Sequence, residues 1–420
     1  MNRFFAITLF ALLCSIGKAQ AQEDTSQGVI APGFHTLQVE LEGAPMATPI
    51  IDLRNASERI VISFDELADD RRYMRYSLIH CDALWQPEGL VDSEFLDSFN
   101  EGTVETYDYS QATLVHYVHY MITLPNEQVC ITQPGNYLVR VYDESDPDNT
   151  LLQARFGVSD NTAVVKAGVT SLTDIDTNLA HQQLGIRVDT RYLDLDDPFN
   201  DLKVVITQNG RPDTQTLIVT PQRLGSNEVI YEHLRPLIFK AGNEYRRFET
   251  VSTGYPGMGV ERIERDAHVF NMMLYADTPR DKTGYTYDST QFGRYMVRNS
   301  DTHDSDTGAD YVMTHFTLDI PPVEGYDIFL DGDFTDRKFS PISRMVYNEA
   351  SGAYEQSLLL KQGSYNYQYL AVPTGSMIGE TAPVEGDKFQ TVNEYTIRVY
   401  HRPKGSRFDR LVGYTTLLSE

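Results

Sequence analysis

Along most of the chain apolar and polar residues alternate with a period of two, the spacing of half-buried strands and not of helices. Residues 73–80 put Met74, Tyr76 and Leu78 on one face, and residues 114–124 do the same with Leu114, Val118, Tyr120, Ile122 and Leu124. Gly135 and Asn136 open a run at 137–142, and the polar stretch 143–149 turns the chain into another at 151–158. Further runs lie at 202–207, 217–220, 228–233, 245–251 and 268–274, the first of them ending in the turn signal Gln208-Asn209-Gly210-Arg211-Pro212. After the almost wholly polar stretch 299–307, the pattern restarts at 311–318 and recurs at 327–330, 354–360, 365–371, 395–400 and 411–418. Short strands separated by Asn, Asp, Gly and Pro predict an all-β chain of three immunoglobulin-like β-sandwich domains in series. Their expected limits are 22–160, 161–300 and 309–420, with 301–308 as a polar linker.

The first 21 residues break this pattern. Arg3 precedes a short apolar run at 4–13, and Ala19-Gln20-Ala21 supplies a small-residue cleavage site, so 1–21 reads as a cleaved signal peptide. The run is shorter than the roughly 20 residues that a bilayer-spanning helix needs. Cys14 directly follows Leu13 inside it, where lipoprotein processing wants a small residue, so no lipid anchor is expected. Charge narrows the partners: 60 acidic residues against 35 Lys and Arg give a net −25, which disfavours nucleic acid and anionic lipid. Outside the signal only Cys81 and Cys130 remain. In an oxidising compartment they form either one disulfide or two buried free thiols.

Catalytic and cofactor motifs are missing from the sequence. It contains no G-x-S-x-G elbow, H-E-x-x-H pair, C-x-x-C pair or Walker loop. His116 and His119 sit at odd spacing on an expected strand, which puts them on opposite faces and prevents joint chelation. The segment 254–259 is rich in Gly but precedes no helical pattern, so it offers a dinucleotide no helix N-terminus. Acidic turns at 143–149 and 194–197 carry oxygen ligands of the type calcium prefers, without the regular spacing of an EF-hand; turn chemistry alone explains them and is the favoured reading. The last segment is similar to glycogen-binding and isoamylase-like immunoglobulin domains, through Phe329-Leu330-Asp331-Gly332-Asp333-Phe334 and Gly363-Ser364-Tyr365-Asn366-Tyr367. A carbohydrate-binding envelope protein is therefore the alternative reading, and it requires an exposed aromatic shelf near Phe334 or Tyr365.

A broader resemblance runs through nearly the whole chain. His80-Cys81-Asp82-Ala83-Leu84-Trp85-Gln86-Pro87 leads into Tyr107-Asp108-Tyr109-Ser110 and Tyr117-Val118-His119-Tyr120. Gln208-Asn209-Gly210-Arg211 and Phe239-Lys240-Ala241-Gly242-Asn243-Glu244-Tyr245-Arg246 follow in order. Lys361-Gln362-Gly363-Ser364-Tyr365, Gln390-Thr391-Val392-Asn393-Glu394-Tyr395 and Val399-Tyr400-His401-Arg402 complete it. These segments resemble the type IX secretion system plug proteins of Bacteroidetes. The resemblance implies a periplasmic protein, held at the outer membrane by its partner, that binds the giant β-barrel translocon of that system. It would seal the barrel's periplasmic opening when no cargo is bound, one copy per barrel, without enzymatic activity, cofactor or metal. Among the matched positions His80, Trp85, Tyr117, Asn209, Gly242, Asn243, Glu244, Arg246, Gly363, Asn393 and Arg402 are expected to be structural. Gly242 is expected to serve a turn with positive φ, and Arg246 to be held in an ion pair.

Overall fold

The computed structural model describes residues 24–419; the expected signal peptide, with Cys14, lies outside them. Among the described residues the chain is almost entirely strand and turn, arranged as six sheets. No helix there is long and apolar enough to cross a membrane. The sheets pack in pairs around three large apolar clusters, because alternate side chains along each strand face inward.

In the first unit the strands Phe34–Leu41, Ile60–Glu66 and Val118–Leu124 pack on Met74–Cys81, Gly135–Asp143 and Asp146–Ser159. Ile60, Ile62 and Phe64 meet Met74, Tyr76 and Leu78 in the core, the face that the alternation picks out. Strand structure begins at Val118 and not at Leu114. The amides of Leu114 and Val115 instead donate to the Asp310 carboxylate at 2.7 and 3.0 Å, which removes them from any ladder.

The remaining chain is not laid out in series. Leu202–Gln208 pairs with Thr216–Ile218 on one side and with Glu394–His401 on the other, and Arg410–Leu418 extends that sheet. It packs on the sheet of Val164–Thr170, His181–Asp189 and Glu228–Tyr231, so Ile397, Val399 and Val412 share a core with Leu184, Ile186 and Val204. Conversely, Arg246–Glu249, Tyr295–Val297 and Tyr326–Asp331 all hydrogen-bond to Gly363–Pro373. Their sheet faces another that runs through Val260–Arg265, Phe270–Leu274, Tyr311–Leu318 and Ala353–Lys361. The expected boundary at 300–309 is therefore corrected: residues from about 246 to 390 form a unit inserted between strands of the second. Local periodicity names strands but not their partners, which is why the serial order failed.

The expected linker 301–308 is also corrected. Ser305–Gly308 forms a single helical turn whose Asp304 side chain accepts from the Asp306 amide. That turn is packed, since Tyr117 donates its hydroxyl to the Asp306 and Ala309 carbonyls at 3.0 and 2.8 Å. A polar composition marks this stretch as a cap and junction piece.

Candidate functional site

The three units meet at junctions built from buried ion pairs, and the matched sequence positions concentrate there. Between the first and second units, Ile50 and Ala83 pack on Val205, Tyr400 and Leu411. Beside this patch Glu88 accepts from Arg402 and from the Asp409 amide, while its second oxygen lies 2.8 Å from Nδ1 of the buried His80. Asp409 accepts in turn from Arg402 Nε at 2.6 Å, Lys203 Nζ at 2.8 Å and the Ala83 amide at 2.9 Å. Burial pushes the Asp409 carboxyl up, but the hydrogen bonds from Lys203 and Ala83 and the charges of Lys203 and Arg402 prevail and hold it below the usual carboxylate range. A tyrosine completes the junction, Tyr400 donating to Asn136 Oδ1 at 2.8 Å.

The second and inserted units join where the chain crosses twice, near 241–246 and 385–394. Asn209 Nδ2 donates to Asn393 Oδ1 at 2.7 Å, and Asn393 Nδ2 donates to the Ala241 carbonyl at 2.8 Å. Gly242 has φ +62°, a left-handed value that glycine adopts at no steric cost, and its carbonyl accepts from the Lys388 amide. Asn243 donates to the Glu385 carbonyl at 2.8 Å, and Glu244 Oε1 accepts from Tyr285 and the Val392 amide. Arg246 bridges Glu385 at 3.0 Å and Asp277 at 2.7 Å, with Arg280 on the other oxygen of Glu385. The first and inserted units are locked by Asp65, which is fully buried. Its Oδ2 accepts from Lys361 Nζ and the Tyr311 hydroxyl, both at 2.6 Å, and its Oδ1 lies 2.7 Å from His119 Nδ1. Lys361 also sits over the Tyr117 ring at 4.2 Å. Nearby, Gly363 packs so tightly on the Met296 carbonyl that a β-carbon has no room.

A cleft of about 300 Å³ opens where all three units converge, with Trp85 and Arg155 from the first, Gln215 and Arg398 from the second, and Arg294 and Lys338 from the inserted one. Trp85 has φ +66° and is held there by its amide's bond to the Asp82 carbonyl, with Asp82 Oδ1 accepting from Leu84 and Gln86.

The structure decides several points that the sequence left open or read differently. Cys81 and Cys130 are free, but only Cys81 is buried. Cys81 lies on the face of its strand opposite the core, buried against Trp85 and Leu138, whereas Cys130 is exposed on a loop. Burial pushes the Cys81 thiol up to about 12. The aromatic shelf required for sugar stacking is not formed: Tyr365 is buried between Phe248 and Tyr295, and half-buried Phe334 lies against Phe316 and Tyr365. Of the acidic turns, Asp143 already accepts from Ser145 and pairs with Arg72 at 3.0 Å. His116 lies before the strand, exposed beside Asp69, while His119 belongs to the Asp65 cluster; the two are separated, but not by strand parity. Sequence reasoning missed Asp65, Glu88 and Glu385, and assigned no ion-pair role to Lys361 and Asp409. Partners across the junctions lie far along the chain, 296 residues apart for Asp65 and Lys361, so no local spacing marks them.

These sheets and junctions define a class of large multi-sheet β-sandwich proteins, and comparison with known proteins makes the class specific. The description "Type 9 secretion system plug protein 1st domain" matches residues 34–160, the first unit. A hypothetical protein from Parabacteroides merdae ATCC 43184, known from its crystal structure, is 40% identical with a TM-score of 0.92. The match covers 94% of this chain and 99% of that one. The chain belongs to the family of type 9 secretion system plug proteins. Membership associates it with components of that secretion system in the cell envelope, and the family is not one of enzymes. An N-terminal region of an enterococcal surface protein aligns at 8% identity with a TM-score of 0.20, covering 95% of this chain and 97% of that one, and carries no argument. No curated protein matches.

Proposed function

We propose that this chain is the periplasmic plug of the type IX secretion system, docking on the outer-membrane β-barrel translocon and closing its periplasmic opening while no cargo is bound. The observation that carries this reading is the family match over the first unit, extended by a relative that is similar across almost the full chain. Physical features support it. An occluding body has to keep its shape against a pore, and the three units are tied pairwise by buried ion pairs and by strands shared across the chain crossing. The reading places the protein in the periplasm after signal cleavage, one copy per barrel, and calls for no cofactor, nucleic acid or lipid anchor.

Affinity purification of the chromosomally tagged translocon should recover this chain in unit ratio from cells blocked for cargo synthesis. Deletion of its gene should let large antibiotics cross the outer membrane through the emptied barrel. Unchanged permeability of the deletion strain, with the empty barrel present, overturns the plug role.

A further inference from the structure

The central cleft holds a concentration of positive charge that neither the fold nor the plug reading uses. Arg155 and Arg398 come from different units and face the same indole, their guanidinium carbons 4.7 and 5.8 Å from the Trp85 ring. Among the described residues neither has a carboxylate within ion-pair distance. Arg155 donates only to the carbonyl and hydroxyl of Thr25, and Arg398 only to Gln215 Oε1. Arg398 Nε is buried with no partner at all. Other arginines at these junctions, Arg211, Arg246, Arg280, Arg294, Arg337 and Arg402, each reach an acid. Burial, helped by repulsion from Arg398, draws the Arg155 guanidinium down to about 10.

Two partly buried, mutually repelling cations with spare N–H donors are costly unless something negative joins them. The acids lining the cleft do not serve. Glu394 is taken by Arg294 and Asp333 by Arg337, Asp336 accepts from the Val29 amide and is held up at about 6 by its burial, and Glu40, also pushed up by burial, makes no ion pair with either arginine. Asp24 senses Arg155 only at longer range. Guanidinium forks suit planar or tetrahedral oxyanions, and the cleft has room for one small molecule or one side chain.

We infer that Arg155 and Arg398, with Trp85 as the floor, form a binding site for an oxyanion, a carboxylate or a phosphate, at the point where the three units meet. Because one arginine belongs to each of two units, occupancy stiffens their junction. The inference stands apart from the plug role and fails or holds independently of it.

The chain has a single tryptophan, so its fluorescence reports this site alone. The full protein is titrated separately with succinate and with inorganic phosphate at constant ionic strength set by sodium chloride. A saturable change in Trp85 emission is expected with at least one anion, and which one saturates identifies the class. Arg155→Gln and Arg398→Gln should each weaken that binding about tenfold. Both variants, without anion, should melt no lower than the parent protein, since each relieves an uncompensated charge. Emission that does not respond to either anion overturns the site. So does a response that both variants retain, or variants that melt well below the parent, which would mean that the arginines serve packing.

Discussion

Asp65→Asn tests the view that buried charge, more than apolar contact, locks the inserted unit to the first. The side chains of Asp65 and Lys361 are 0% and 1% exposed, so water cannot replace a lost partner. The amide nearly preserves the shape of Asp65, and the substitution isolates the charge. It leaves a buried ammonium with no counter-charge, facing only neutral groups such as the Asp306 carbonyl and the Tyr117 ring, and removal of one member of such a pair costs about 3–5 kcal/mol. Lys361→Met should cost a similar amount by stranding the carboxylate with His119 and Tyr311. The double variant should be far less destabilised than the sum, since no isolated charge remains. Urea unfolding followed by far-UV circular dichroism measures all four proteins. The pH dependence adds a second reading. Burial pushes Asp65 up, but Lys361 and His119 outweigh it and hold its carboxyl below the usual carboxylate range. A depressed acid contributes stability that is present in full above the unfolded pKa and is lost as pH falls through the folded one. The gap between parent and Asp65→Asn should thus be constant above about pH 5 and close below the ordinary carboxylate value of about 3.9. A single variant within 1 kcal/mol of the parent, or simple additivity in the double, would refute the reasoning.

Other outcomes follow from the same geometry. Glu88→Gln should cost about 2–4 kcal/mol in urea unfolding, because Arg402 and His80 lose their shared carboxylate. Gly242→Ala should lose about 1–2 kcal/mol from its left-handed φ alone, since the new methyl finds ordinary contact at 3.6 Å with Thr381. Gly363→Ala should lose more, by collision with the Met296 carbonyl, and ranking the two by melting temperature checks this. Maleimide should label Cys130 in the folded protein and Cys81 only after unfolding, mapped by peptide mass.

Much of the architecture was legible in the sequence because a strand records its buried face locally. Met74, Tyr76 and Leu78 face the core as their spacing says, and the all-β class follows from many such runs. Pairing is not recorded in that way. Nothing near Leu202–Gln208 announces that its neighbour is Glu394–His401, so the insertion was invisible. The junction residues were legible only as matched positions such as Arg246, Asn393 and Arg402. Their acids Glu385 and Glu88 looked like any others in a strongly acidic chain. Position 114 fits the strand pattern as well as position 118, and only the distant Asp310 decides where the ladder starts.

The insertion has a consequence for how the molecule comes into being. Gln208 and Tyr395 share a hydrogen bond across 187 residues, so the middle sheet stays open until nearly all of the chain has arrived. Closing so long a loop costs entropy that is recovered only when the last strands dock, and such contacts form late. A chain cut short near residue 390 therefore keeps every strand of the inserted unit yet forfeits the middle one, and exposes the apolar face of Leu202–Gln208. Completion of the C-terminus is thus the event that matures the middle of the protein, and a truncated product announces itself to quality-control proteases by an unpaired sheet edge.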